Sequence, residues 1–183
     1  MPRHSPISTG TSRARILAAA RAVAARQGAA HVSLDAIARE AGLSKSGVLY
    51  NFASKRALMA ALLDEMLAEH RALDAQVPQG ARRRDLRRHF LSVTTMDCVN
   101  SDLSMAILAI AATEPDLLDP LRGELEEDLA RITDETADPA TAHVIFFALQ
   151  GLRFHKLLNL PDGGPPVRDR VHARLQEMIE NAP

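Results

Sequence analysis

The sequence predicts an all-α protein of about nine helices. Apolar residues recur at i, i+3, i+4 and i+7 along most of the chain. No stretch alternates apolar and polar residues as a half-buried strand would. Gly28, Gly42, Pro78, Gly80, Pro115, Pro139 and the run from Pro161 to Pro166 fall between the periodic stretches, where helices end and begin. With 46% hydrophobic and 25% charged residues over 183 positions, the chain can build a substantial core.

Residues 1–11 contain Pro2, Pro6 and Gly10 and read as a mobile arm. Arg3, His4 and Arg13 could reach a minor groove; otherwise this terminus does nothing specific. A first helix follows from Ser12, with Ile16, Leu17, Ala20, Val23 and Ala24 on one face and Gly28 at its end. Leu34, Ile37, Ala38 and Ala41 form the stripe of a short second helix, with Ser33 as N-cap, Asp35 in the first turn and Gly42 as the left-handed stop. Ser44 caps a third helix carrying Val48, Leu49 and Phe52.

Two short helices joined at a glycine form a helix-turn-helix unit over residues 12–56, whose last helix can enter a DNA major groove. Ala38 is small where the helices cross, and Ser44, Lys45, Ser46, Gly47, Tyr50 and Asn51 face outward. These are partners for phosphates and base edges. Lys45 follows the Ser44 cap, and Lys55 and Arg56 follow a cap at Ser54. A cation there costs a lone helix about 0.3–1 kcal/mol, a cost that disappears if a phosphate sits at each helix end. Without a phosphate these are solvated basic turns.

Residues 57–183 read as a second helical domain. A long helix runs from Lys55 to about Gln76 on Leu58, Leu62, Met66 and Leu73. Arg82, Arg83, Arg84, Arg87 and Arg88 open the next one; a solvated face, or pairing with acidic neighbours such as Asp64, Glu65 and Glu69, is preferred over a second DNA contact. Leu103 to Ala112 is almost wholly apolar and is expected to be buried on all sides. Leu117 to about Ala137 forms a further helix, and Pro139 opens one reaching Leu160. That helix is apolar on both faces and so needs a second surface, for which a twofold partner is the natural candidate. Val167, Val171, Leu175, Met178 and Ile179 make one stripe on the last helix.

Charge is divided along the chain. Residues 1–60 hold nine Lys/Arg against two Asp/Glu, and residues 61–183 hold thirteen against twenty-one. A basic N-terminal third on an acidic remainder points to nucleic acid. No apolar run approaches the ~20 residues of a membrane span and no signal peptide is evident, so no membrane partner and a cytoplasmic location are expected. The single Cys98, between Asp97 and Asp102, reads as structural. His89, His143 and His155 lack metal-ligand spacing, and neither a metal nor a cofactor is expected. No nucleophile–base set stands out, which makes a small helical enzyme a remote alternative.

The stretches Arg15 to Ala20, Gly28, Ser33 to Ala38, Ala41 to Ser44 and Gly47 to Leu58 resemble the N-terminal domain of the TetR family of repressors. The resemblance covers roughly residues 12–65, and Asn51 stands where a histidine is common. It implies that Ser33, Ser44, Lys45, Ser46, Tyr50, Asn51 and Lys55 face DNA. It also implies a homodimer on a palindromic operator, built on the last two long helices, and a C-terminal ligand cavity that relieves repression. A regulator without a small ligand is the alternative. The expected dimer residues are Ile145, Leu149, Leu152, Val171, Leu175 and Ile179. The expected pocket residues are Phe90, Met96, Val99, Met105, Leu108, Phe146, Phe147 and Gln150, each of which also suits an ordinary core. With no Trp and only Tyr50 as tyrosine, an apolar ligand is expected over a caged cation.

Overall fold

The computed structural model describes residues 11–27, 31–95 and 98–181, with side chains left undescribed at 98–101. Arg3, His4, Gly28, Met96 and the side chains of Cys98 and Val99 lie outside the described residues. Among those described, the chain forms nine α-helices and no strand.

Helix α1 (Ser12–Gln27) buries the expected stripe and Ala19. Ser33 caps α2 (Leu34–Ala41), its Oγ accepting from the Ala36 N–H at 3.2 Å. The helix ends at Gly42 with φ of 64°, while the Gly42 and Leu43 N–H groups donate to the Arg39 and Ala38 carbonyls. This double closure needs a left-handed residue, which glycine adopts without steric cost. Ser44 caps α3 (Lys45–Asn51), and Ser54 caps α4 (Lys55–Ala72), which continues as a 3-10 turn over Leu73–Gln76. The remaining helices are α5 (Arg84–Thr95), α6 (Cys98–Ala111), α7 (Asp119–Asp134), α8 (Pro139–Leu157) and α9 (Pro165–Asn181).

The buried apolar side chains form two clusters. One joins α1 to α4 with Leu103, Ala106, Ile107 and Ala111 of α6 and with Leu117. The other joins α5, α7, α8 and α9 through Leu86, Val93, Ile132, Ile145, Phe146, Leu149, Leu175 and Ile179. Helix α6 therefore completes the N-terminal core, and no gap in packing follows residue 56. Leu58 and Leu62 of α4 are fully buried in that core, where truncation to alanine costs about 2–5 kcal/mol.

Three expectations need correction. Helix α6 is buried along one face only, with Ala109 exposed and Ile110 half-buried, because alanine lets an apolar-looking helix meet water cheaply. The stretch expected as one helix from Leu117 is a 3-10 turn (Pro115–Leu118) followed by α7, since Pro120 suits only a first helical turn. The arginine cluster is not simply a solvated face: Arg82 is exposed, but Arg83, Arg84 and Arg88 turn inward, to partners on segments other than that of Asp64, Glu65 and Glu69. Arg83 Nη1 donates to the Ile179 carbonyl at 2.8 Å, and Arg84 reaches the Asp74 and Pro78 carbonyls. Arg88 pairs with Asp128 at 2.5 Å and Asp85 at 2.7 Å, while Glu65 and Glu69 hold Arg21 of α1.

Candidate nucleic-acid interface

The caps that start α2 and α3 leave hydroxyl protons at the surface. Ser33 and Ser44 use Oγ as the acceptor of a backbone N–H, and Ser44 Oγ also lies 2.9 Å from Ser46 Oγ. All three serines are exposed. Gly47 lies behind them, and a Cβ there would come within 3.3 Å of Ser44 Oγ, so the glycine keeps the cap tight. Tyr50 on the next turn is 92% exposed, with nothing among the described residues covering its ring. Asn51 is half-buried and its Nδ2 donates back to the Gly47 carbonyl at 2.9 Å.

The cations differ in their freedom. Lys45 Nζ is 3.0 Å from Asp35 of α2, an exposed pair worth under about 1 kcal/mol and easily exchanged for a phosphate. Lys55 has no ion-pair partner among the described residues. Arg56 is committed elsewhere: it pairs with Glu114 at 2.7 Å and with Asp116, tying the start of α4 to the segment after α6. Arg15 Nη2 donates to the Ala41 carbonyl at 2.7 Å, and the Arg13 guanidinium lies 4.3 Å above the buried Phe52 ring. Ser44, Lys45, Ser46, Gly47, Tyr50 and Asn51 lie on α3 and its cap, Lys55 begins α4, and Ser33 stands at the far end of α2, whose first turn meets Lys45 through Asp35.

Behind this surface, α4, α5, α6 and α8 border a part-open cavity of about 170 Å³ lined by Met66, Glu69, His70, Leu73, Ser92, Thr95, Ser104, Arg153 and Leu157. The expected pocket residues whose side chains are described do not wall it. Phe146 is buried in the core with its ring edge-on to His89 at 4.9 Å, and Phe147, one residue on, is 60% exposed on the opposite side of α8. Phe90 lines a different recess, beside Gln76, Val77 and Pro78. Met105, Leu108 and Gln150 are half-buried outside the lining. Consecutive residues on a helix point about 100° apart, so an apolar run cannot all face one chamber. The polar members Ser92, Ser104 and Arg153 were not anticipated; the signal for Arg153 was its position between Leu152 and Phe154 in an otherwise apolar helix. A larger recess of about 560 Å³ opens at the surface between the ends of α5, α8 and α9, where Arg168 is already paired with Asp162.

Next to the cavity, His70, His89 and Asp128 offer three metal-ligand atoms within 4.8 Å of one another. Asp128 is fully buried and already bound by Arg88, Arg131 and the His89 Nε2–H at 2.8 Å. Its burial favours the neutral acid, but the hydrogen bonds from His89 and Arg88 outweigh that and hold it ionised well below the usual carboxylate range. A divalent cation there would sit against guanidinium groups, so the cluster is better understood as a charge network joining α4, α5 and α7.

The expected dimer residues also divide. Ile145, Leu149, Leu175 and Ile179 are buried within the chain itself and cannot meet a partner without unpacking it. Leu152 is half-buried and Val171 exposed. The open apolar face of α8 is instead Val144, Phe147 and Phe154, 60%, 60% and 54% exposed, with Gly151 between the two phenylalanines.

Residues 16–62 match the family model described as bacterial regulatory proteins of the tetR family, and residues 84–180 match the one described as tetracyclin repressor-like, C-terminal domain. No curated protein matches the chain significantly. Among solved structures, a transcriptional regulator from Rhodococcus sp. Rha1 is 22% identical with a TM-score of 0.67, over 92% of this chain and 94% of that one. A TetR-family member from Streptomyces coelicolor A3 is 26% identical with a TM-score of 0.62, over 92% and 98%. The multidrug binding protein EbrR complexed with ethidium is 24% identical with a TM-score of 0.65, over 91% and 98%. No helix among the described residues is long and apolar enough to cross a membrane. With both halves matched, the second over more than half of its length, this chain belongs to the TetR family of transcriptional regulators.

Proposed function

We propose that the protein is a cytoplasmic repressor that binds a palindromic operator as a homodimer and releases it when a small ligand enters the chamber between α4, α5, α6 and α8. The observation that carries DNA recognition is α3. A seven-residue helix exposes Tyr50 almost completely and gathers Ser44, Lys45 and Ser46 at its start, with Lys55 beside it. Nothing among the described residues requires so exposed a tyrosine there.

Two features support pairing. Val144, Phe147, Gly151, Phe154 and Leu158 recur at helix-seam spacing on the outer face of α8. Gly151 sits mid-helix, where glycine costs about 1 kcal/mol, and a Cβ there would meet nothing within 4 Å, so its own chain does not need it. A second copy approaching along this seam would.

Release is supported by connectivity. The chamber touches α4 and α6, both of which contribute to the core under α1 to α3, and Arg56 ties α4 to the end of α6. A ligand that changes how these helices pack would alter the separation of two α3 helices, which must stay about 34–36 Å apart to fit successive major-groove turns. EbrR, of the same fold, binds small molecules such as ethidium. The alternative, regulation without a ligand, draws on the chamber's volume of about 170 Å³, below the roughly 300–1,000 Å³ of usual ligand sites. Selection of bound DNA from random fragments tests the main reading. A palindrome with half-sites one helical turn apart is expected, and recovery of no enriched sequence would refute it.

A further inference from the structure

We infer that the chamber between α4, α5, α6 and α8 takes a small organic carboxylate, with Arg153 as its anchor. This rests on the ligand-release reading above and assigns the chemical class of the ligand. Arg153 projects from α8 into the lining, and its Nη2 donates to Ser92 Oγ. Its Nε is buried with no hydrogen-bond partner, and no carboxylate pairs with it among the described residues. Burial alone pushes its pKa down, with no offsetting charge, yet a guanidinium stays protonated. The neighbouring arginines are treated differently by the fold: Arg88 has Asp85 and Asp128, and Arg84 has the Asp74 carboxylate and three carbonyls. Arg153 is half-buried with its Nε shut off from water, and a guanidinium so placed without a counter-charge calls for an anion.

The rest of the lining selects the kind of anion. Glu69 is exposed and turned to Arg21 at 2.8 Å, a partner it shares with Glu65. His70 is neutral, its pKa lowered to about 3 by burial and by the nearby His89, Arg153 and Arg88. Ser92 accepts from Arg153, which leaves its hydroxyl proton to donate to an incoming oxyanion. Met66, Leu73 and Leu157 supply apolar walls for a short hydrocarbon body. The volume of about 170 Å³ is close to the roughly 150 Å³ that accommodates benzene. The larger recess at the ends of α5, α8 and α9 lacks this logic, because its charged residues are exposed and Arg168 is paired.

The test compares benzoate and butyrate with benzamide, butyramide and ethidium on the full chain, by calorimetric titration and by affinity for the selected operator. The carboxylates should bind at least tenfold tighter than their amides, and Arg153→Met should lose that preference by roughly 10- to 100-fold, the worth of a charge-assisted bond. Ligand-free Arg153→Met should melt at or above the wild-type temperature, because it removes a half-buried charge that no carboxylate balances among the described residues. A purely structural Arg153 would instead give a less stable variant that still binds carboxylates, and that result overturns the inference. Equal binding of amides, preference for ethidium, or no binding by any of the five also overturns it. Carboxylates that bind through Arg153 yet leave operator affinity unchanged would uphold the inference and refute release.

Discussion

Lys55 begins α4 beside the recognition helix with no acidic side chain to hold it, so its charge is available to a phosphate. Lys55→Ala should weaken binding to all DNA sequences alike and reduce the salt slope by about one, read from titrations between 50 and 200 mM salt. A change confined to one base position would instead place Lys55 at a base edge. His70 makes a prediction of a different kind. Its pKa in the folded chain is about 3, lowered chiefly by burial, against 6.5 for a free histidine. Between these values the unfolded chain binds a proton that the folded chain refuses, so stability falls as pH drops from about 6.5 toward 3. The slope approaches about 1.4 kcal/mol per pH unit for one such proton. His89, lowered chiefly by burial, adds in the same direction. His70→Gln should therefore flatten the loss of stability in urea melts from pH 6.5 to 4, and an unaltered slope would mean that His70 is charged in the folded state. The caps at Ser33 and Ser44 were legible in the sequence because capping is local. His70 was not, since its neighbours come from α5, α7 and α8.

Gly42 fixes how α3 leaves α2, and its φ of 64° is a conformation that an L side chain adopts at a cost of about 1–2 kcal/mol. Gly42→Ala should lower stability by that amount, about 2–8 °C in Tm for a chain of this size, and should reduce operator affinity by re-aiming the recognition helix. Unchanged melting and binding would show that the turn relaxes freely. Such punctuation made most elements readable: Ser33, Gly42, Ser44, Ser54 and Pro139 all mark helix ends in the structure. Legibility failed where helix character is uniform. Helix α6 is apolar enough to suggest burial all round, but only packing reveals that its Leu103–Ile107 face belongs to the N-terminal core. Helix α8 posed the same problem: Ile145 and Phe147 look equivalent in sequence, and one is core while the other is surface.

The molecule as a whole separates a basic reading surface from an acidic remainder and links them through α4, α6 and the Arg56 pairs with Glu114 and Asp116. The reading surface could be assembled from one stretch of sequence because α2, α3 and the start of α4 are consecutive. The chamber could not, because its walls come from residues 66–73, 92–95, 104 and 153–157, brought together only by the fold. The proposed pairing surface lies between these extremes. Sequence indicated that α8 needs a partner, and structure identifies Val144, Phe147 and Phe154 as the side chains left open. Phe147→Glu discriminates between an interface and an idle apolar face. The residue is exposed in the single chain, so the folded monomer should tolerate the change with little loss of helicity or Tm. In a twofold dimer the substitution occurs twice across one seam, placing two carboxylates in an apolar contact at a cost of about 3–5 kcal/mol, over a hundredfold in Kd. Sedimentation should then show a monomer at micromolar concentration. Operator affinity should fall much further than half-site affinity, because each recognition helix remains intact while their coupling is lost. A variant that still sediments as a dimer would remove Phe147 from the interface, and a wild-type monomer that binds a single half-site would remove the dimer altogether.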